Sequence, residues 1–191
     1  DHRDLHSFPT RRSSDLDSPS FKIKENPEIK SAGAVVLNVE KYGGMLLNPW
    51  FDRPLSVAGR IVVREGEGAE SSLKEILVNL DRDLLMIPNL AIHFDREAND
   101  GRKIDVQSEI RPVLSLDEKA NLLSLVAKSA NVSENQIISH DLFLYNRSEP
   151  KIWGAENEFI SAPKLDDLEC AVSTLQGFLN AVKNAPHSKK I

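Results

Sequence analysis

Between Gly33 and Phe94 the chain is a succession of short apolar runs cut by turn residues, and this pattern restricts the fold more than any other feature. Four runs rich in Val, Ile and Leu cover Gly33 to Val39, Leu55 to Val63, Ile76 to Leu80 and Leu90 to Phe94. Gly43-Gly44, Gly66-Glu67-Gly68 and Pro88 punctuate them. β-branched residues in runs this short, bounded by glycine and proline, specify strands rather than helices. The polar stretch Asp95 to Arg102 has no periodicity and is expected to be a surface loop.

Downstream the period changes. Ser115-Leu116-Asp117-Glu118 has the form of a capping box, with Ser115 as N-cap and Glu118 at the third helical position. The spacing predicts a helix through Leu122, Leu123, Val126 and Ala127 that ends at Asn131. Ile137 and Ile138 lead into a strand over Asp141 to Tyr145. Leu168, Ala171, Val172, Leu175, Phe178, Leu179 and Val182 then sit at helical spacing from Asp167 onward. Upstream, the polar stretch Glu25 to Lys30 reads as a link after Phe21-Lys22-Ile23. The result is an α/β chain: a strand-rich middle flanked by mixed pieces, with no internal repeat and no low-complexity tract.

The junction into the last helix, F-I-S-A-P-K-L-D-D-L over Phe159 to Leu168, carries the most chemistry. Asp166 and Asp167 follow an apolar strand end. There they read either as helix caps or as carboxylates held at a pocket mouth for a hard or borderline cation. His93, after Leu90-Ala91-Ile92, reads either as a satisfied, partly buried histidine or as a catalytic one. His140 and His187 have no supporting motif and are expected at the surface. Trp50 and Phe51 carry large rings to bury, and Asp52 with Arg53 can pin a turn before Pro54; the alternative for this group is a subunit contact. Gly43-Gly44 lacks the strand-loop-helix context of a phosphate site.

Composition narrows the function classes. With 191 residues, 40% of them hydrophobic, and a formal net charge of -5, the chain suits one or two globular domains with a core. Mild acidity without a basic cluster argues against a nucleic-acid partner. No apolar run approaches the roughly 20 residues of a membrane span. The single cysteine, Cys170, cannot form an internal disulfide, which fits a reducing compartment and a cytoplasmic location. Beside Ala171 in a helical pattern, Cys170 is expected to be a buried small hydrophobe rather than a nucleophile.

Residues 1–16, D-H-R-D-L-H-S-F-P-T-R-R-S-S-D-L, fit neither a strand nor a helix. They also lack the apolar core and small-residue cleavage site of a signal peptide. Reverse-translated, they read as a common sequencing-library adapter oligonucleotide, and chance agreement over that many codons is negligible. They are therefore expected to be a non-native segment joined to a gene fragment at Asp17, so that Arg11, Arg12, His2 and His6 carry no function.

From Asp17 to about Val182 the chain resembles the aspartyl aminopeptidases, a family of two-zinc exopeptidases. Tyr42 to Arg60, Y-G-G-M-L-L-N-P-W-F-D-R-P-L-S-V-A-G-R, is similar to that family's Y-G-G, W-F-D-R and A-G-R signature. Ile87 to Phe94, I-P-N-L-A-I-H-F, is similar to its I-P-x-L-A-I-H segment. Asp141 to Asn146 and Trp153 to Pro163 match the approach to its metal carboxylate, and P-K-L-D-D matches its P-R-L-D-N.

The resemblance implies an α/β zinc-peptidase domain interrupted by an inserted β-rich, barrel-like dimerisation domain. Its implied pieces are 17–24 and 141–191 for the catalytic domain, the latter truncated, and 25–140 for the insertion. It also implies two zinc ions, with Asp166 as the bridging carboxylate and Asp167 as helix N-cap in place of the family's Asn. Asp17 is in register with the family's orienting Asp in H-T-D-S-P-S-F-K-I-K, but Asp15 and Leu16 stand at the His and Thr positions. The family's Glu-Glu pair and distal His would follow Ile191. His93 is implied to reach a partner subunit's active site and donate a hydrogen bond to the oxyanion of a peptide substrate, which makes the protein a homo-oligomer. The enzyme so implied removes N-terminal, often acidic, residues from peptides, and this chain is expected to be an inactive piece of it. The competing reading is a non-catalytic β-rich oligomerisation module.

Overall fold

The computed structural model describes residues 18–66 and 71–184. The adapter-like segment, Asp15, Leu16, Asp17, part of the Gly66-Glu67-Gly68 turn and His187 lie outside them. Two compact units divide the chain: Pro19–Glu149, and Pro150 onward together with Ser18.

The larger unit is built on a six-stranded antiparallel sheet of order β4-β3-β6-β1-β2-β5. Its strands are β1 (Ser20–Ser31), β2 (Ala34–Tyr42), β3 (Leu55–Glu65), β4 (Ser72–Asn79), β5 (Val113–Ser115) and β6 (Ile137–Asn146). Alternation decides which face is buried. Phe21 and Ile23 of β1, Leu37 and Val39 of β2, Leu55, Val57, Ile61 and Val63 of β3, and Leu142 and Leu144 of β6 all enter one core. Leu122 and Val126 of helix α1 (Leu122–Ala130) and the irregular-segment residues Phe51, Leu85, Ile87 and Ile110 belong to the same cluster. Residues 85–87 also link distant parts of the sheet through isolated bridges, Leu85 to Leu55 of β3 and Met86 to Val113 of β5.

Two glycines are required by backbone geometry. Ala32 and Gly33 both have positive φ (48° and 77°) in the tight β1–β2 turn, so Gly33 turns the chain instead of opening the strand. Gly59, at φ 154°, lies against β6: a Cβ there would sit 2.1 Å from the Asp141 carbonyl oxygen. No other residue fits that strand crossing.

Three expectations are corrected. Glu25 to Lys30 is not a link, because β1 continues through it: Glu28, Ile29 and Lys30 pair with Leu37, Val36 and Val35 after a register shift beyond Ile23. Buried Pro27, which has no N–H to donate, falls within that irregularity. Strand β1 thus spans Ser20–Ser31 without a break at Glu25, and the compact unit that contains it is bounded by Pro19 and Glu149.

Ser115 does not cap a helix. It ends β5, its hydroxyl accepts from Asp117 N–H (3.0 Å), and the Asp117 carboxylate accepts from Lys119 N–H (3.0 Å). These local bonds close a turn. Helix α1 starts later, with Asn121 as N-cap accepting from Ser124 N–H (2.8 Å) and Glu28 accepting from Leu122 N–H (2.7 Å). Its end is as expected, since Asn131 takes the left-handed conformation that closes a helix. Leu90 to Phe94 is likewise not a strand. The strand-like bridges fall at 85–87, and the segment from Ile92 to Phe94 is an exposed turn.

The smaller unit contains a hairpin of β7 (Lys151–Trp153) and β8 (Phe159–Ser161), with the Trp153 and Phe159 rings 4.8 Å apart, followed by α2 (Leu165–Asn184). Helix α2 has the expected amphipathic spacing, yet Leu168, Val172, Leu175, Phe178, Leu179 and Val182 are exposed and only Ala171 is buried. Cys170 is exposed too, against expectation, because its helix face meets no packed layer among the described residues. No described helix is long and apolar enough to cross a membrane.

Candidate functional site

Asp166 stands where the hairpin hands over to α2. Within that element it is the residue with non-helical dihedrals (φ -85°, ψ 110°), and its peptide bond to Asp167 is cis. Regular helix therefore begins at Asp167. This reverses the expected capping: Asp166 occupies the position before the first helical residue, and Asp167 lies in the first turn. Asp166 is exposed and Asp167 half-buried, so the carboxylate expected to meet metal is the more accessible of the two. Lys164, at φ 64°, completes the bend out of β8.

His93 belongs to the larger unit, on the exposed turn after Pro88. Its position is set by anchors on either side. On one side, the Asp52 carboxylate accepts from both the backbone N–H (2.9 Å) and the side-chain amide (3.0 Å) of Asn89. Asp52 N–H in turn donates to the Ile87 carbonyl (2.9 Å). On the other side, Arg102 joins Asp95 to Glu109. Between these clamps the stretch Leu90 to Phe94 projects, with Phe94 81% exposed and Ile92 48% exposed. His93 is thus on an exposed turn between these anchors in the single chain.

The W-F-D-R group divides by role. Phe51 is buried in the core and Trp50 meets Phe21 edge-on at 4.9 Å, which is the structural reading of the aromatic pair. Asp52 does more than pin its own turn: its side chain holds the His93 loop. Sequence reasoning missed this partner, since Asn89 lies 37 residues away. No local sequence signal marks this partner: the left-handed backbone of Asp52 (φ 54°) is seen only in the structure.

His140 is also corrected. It is half-buried, on the core-facing side of β6 with Leu142, and both ring nitrogens are shielded with no hydrogen-bond partner among the described residues. It lines a cavity of about 500 Å³ with Lys22, Lys24, Glu25, Glu40 and Leu123.

The described residues do not by themselves fit a two-zinc centre. Among them no three His, Cys, Asp or Glu side chains gather closely enough to hold an ion. A dinuclear site needs several such donors per ion. Asp166 offers one carboxylate, and Asp17 lies outside the described residues.

Comparison with known proteins places the chain. The family model described as Aminopeptidase I zinc metalloprotease (M18) matches residues 12–191, so the match begins inside the adapter-like segment. A probable M18 family aminopeptidase 2 of Clostridium acetobutylicum is 43% identical over 171 residues, covering 86% of this chain and 39% of that protein. Its namesake in Clostridium novyi is 42% identical over 167 residues, covering 84% of this chain and 38% of that protein. Among solved structures, the chain is similar to one in a cryo-EM structure of an Ape4 and Nbr1 complex, with TM-score 0.79 at 30% identity over 90% of this chain and 36% of the other. A crystal structure of prApe1 gives TM-score 0.77 at 26% identity, over 93% of this chain and 41% of the other. The chain spans about two fifths of the length of the curated relatives it matches.

Proposed function

This chain belongs to the aminopeptidase I zinc metalloprotease (M18) family, and from that premise we propose that it is part of a metallo-aminopeptidase that releases N-terminal, often acidic, residues from peptides. The observation that carries the reading is the family match across residues 12–191, with the acidic junction at Asp166 exposed at the end of β8. In this reading Asp166 contributes the carboxylate shared by two zinc ions, and the remaining donors come from outside the described residues. Asp17 serves to orient a neighbouring ligand. A cytoplasmic location belongs to the same reading and rests on the single cysteine.

The unit Pro19–Glu149 is the proposed inserted assembly domain. Its self-contained core supports this, and so do the 85–87 bridges, which tie β3 to β5 in the manner of a closing barrel. The projecting loop supports a homo-oligomer: a rigidly based, solvent-open His93 suits a site supplied by another subunit, where it would donate to the developing oxyanion. The second reading is a non-catalytic β-rich oligomerisation module, and it predicts no peptide release in the chimera tested below.

The test is a chimera. Residues 17–191 replace the matching part of the Clostridium acetobutylicum relative, and release of N-terminal residues is measured on peptides with acidic or neutral ends. Activity is expected in the chimera and in its Asp167→Asn variant, because Asp167 lies in the first helical turn, where losing one charge costs the helix under about 1 kcal/mol. Asp166→Asn should abolish it with the fold intact. Loss in Asp167→Asn with survival of Asp166→Asn would reject the assignment of the bridging carboxylate. The 191-residue chain by itself is expected to bind zinc weakly and turn over no aminoacyl substrate.

A further inference from the structure

Strands β1 and β6 are neighbours in the sheet, yet among the described residues they are joined by the single pair Lys22↔Phe143. In continued antiparallel register Glu25 would face His140. Instead β6 runs on against β3 alone as far as Ile137, and β1 follows β2. The cause is a bulge. Four β1 residues, from Lys24 to Pro27, stand between the pairs Ile23↔Val39 and Glu28↔Leu37, where β2 supplies only Asn38. The Asn38 side-chain amide donates to the Asn26 carbonyl (3.2 Å) and holds the bulge. Bulges end a ladder and re-aim side chains, and they are over-represented beside active sites.

The cavity of about 500 Å³ that His140 lines lies in this split, walled by β1 on one side and β6 on the other. Small-molecule sites run from roughly 300 to 1,000 Å³. Its walls carry three kinds of chemistry. Ile23, Leu123, Ile137 and Ile138 are aliphatic. Lys24 offers a cation, and Glu25 and Glu40 offer carboxylates. None of these three is spent on an ion pair among the described residues, whereas Lys22 is held by Asp141 at 2.8 Å. His140 brings its two shielded ring nitrogens, which find no protein partner among the described residues. A neutral imidazole is one donor and one acceptor, and shielding both unmet destabilises the fold.

We propose that the split binds a small apolar zwitterion, an α-ammonium carboxylate with an aliphatic side chain, either a free amino acid or a short peptide. Its carboxylate meets Lys24 and His140, its ammonium meets Glu25 and Glu40, and its side chain lies on the aliphatic wall. A ligand of one charge would leave half of these groups unanswered. A purely apolar one would desolvate all of them without compensation. The proposal rests on the unit Pro19–Glu149 alone and is independent of the aminopeptidase reading.

The experiment is an NMR titration of the isotope-labelled 191-residue chain with L-leucine and with leucyl-leucine. EDTA is present, so that no metal-held amino acid contributes. L-leucine should shift the amides of residues 22–25 and 137–140 and the His140 ring nitrogens, and the shifts should saturate. Leucinamide, which lacks the carboxylate, and isocaproate, which lacks the ammonium, should each bind about tenfold more weakly. Lys24→Met should weaken leucine binding by a similar factor with an unchanged melt, since Lys24 is only half-buried. His140→Phe should do the same, and Lys24→Met stands in for it if the larger ring disturbs the core. Tighter binding of leucyl-leucine than of leucine identifies a short peptide as the natural occupant, and the reverse identifies a free amino acid. Shifts that never saturate overturn the proposal, as do shifts centred away from the split. Equal binding of leucine, leucinamide and isocaproate, or full affinity in Lys24→Met, overturns it too.

Discussion

The Asp52 carboxylate illustrates how a residue can be legible in type and illegible in partner. Its place after two aromatics marked it as a turn residue, and the turn is there. Its bonds to Asn89, which hold the stalk of His93, depend on β3 and the 85–87 segment coming together, and no local pattern encodes that. A testable split follows in the chimera. His93→Ala should lower turnover about 10²–10³-fold with little change in KM, as for a lost oxyanion donor. Asp52→Ala should lower turnover less, lower the melting temperature modestly because alanine disfavours the left-handed backbone there, and raise hydrogen exchange across residues 89–94 more than elsewhere. Equal exchange in wild type and variant would mean that the clamp does not hold the loop.

Among the elements, those with a buried face were readable and those fixed by side-chain bonds were not. β3, β6 and the body of α1 follow from alternation and helical spacing, and Asn131 was readable as a stop because asparagine tolerates the left-handed region. The second half of β1 was hidden by its charges: Glu25, Glu28 and Lys30 look like a loop until β2 pairs with them. The start of α1 was misplaced because Ser115 and Asp117 satisfy their own turn while Asn121 does the capping. Ser133 and Gln136 instead carry the capping box, around a single 3-10 turn. Replacing Asn121 with Ala should cost about 1 kcal/mol by chemical denaturation, and Ser115→Ala distinctly less. The reverse ranking would restore Ser115 as the cap. At the junction into α2 the acidic pair was readable, whereas the order of cap and first helical residue needed the Asp166 dihedrals.

At the scale of the whole chain, the strand-rich middle and its mixed flanks were visible in periodicity, while the strand order was not. Hydrophobic alternation says which side of a strand is wet; it does not say that β6 lies between β3 and β1. That order has a consequence for how the chain can be cut. The projecting turn from Leu90 to Phe94 divides the strands into β1 to β4 before it and β5 and β6 after it, yet the sheet interleaves the two sets. A protease nick in this turn therefore severs a covalent link without separating its ends, since Asp52 grips one stump and Arg102 with Glu109 holds the other. Brief proteolysis should yield two bands on a denaturing gel but one particle in solution with a near-native melt. The same two pieces, expressed separately, should be unfolded alone and regain β-sheet signal when mixed. If the nicked halves drift apart, the interleaved sheet is not what holds this unit together.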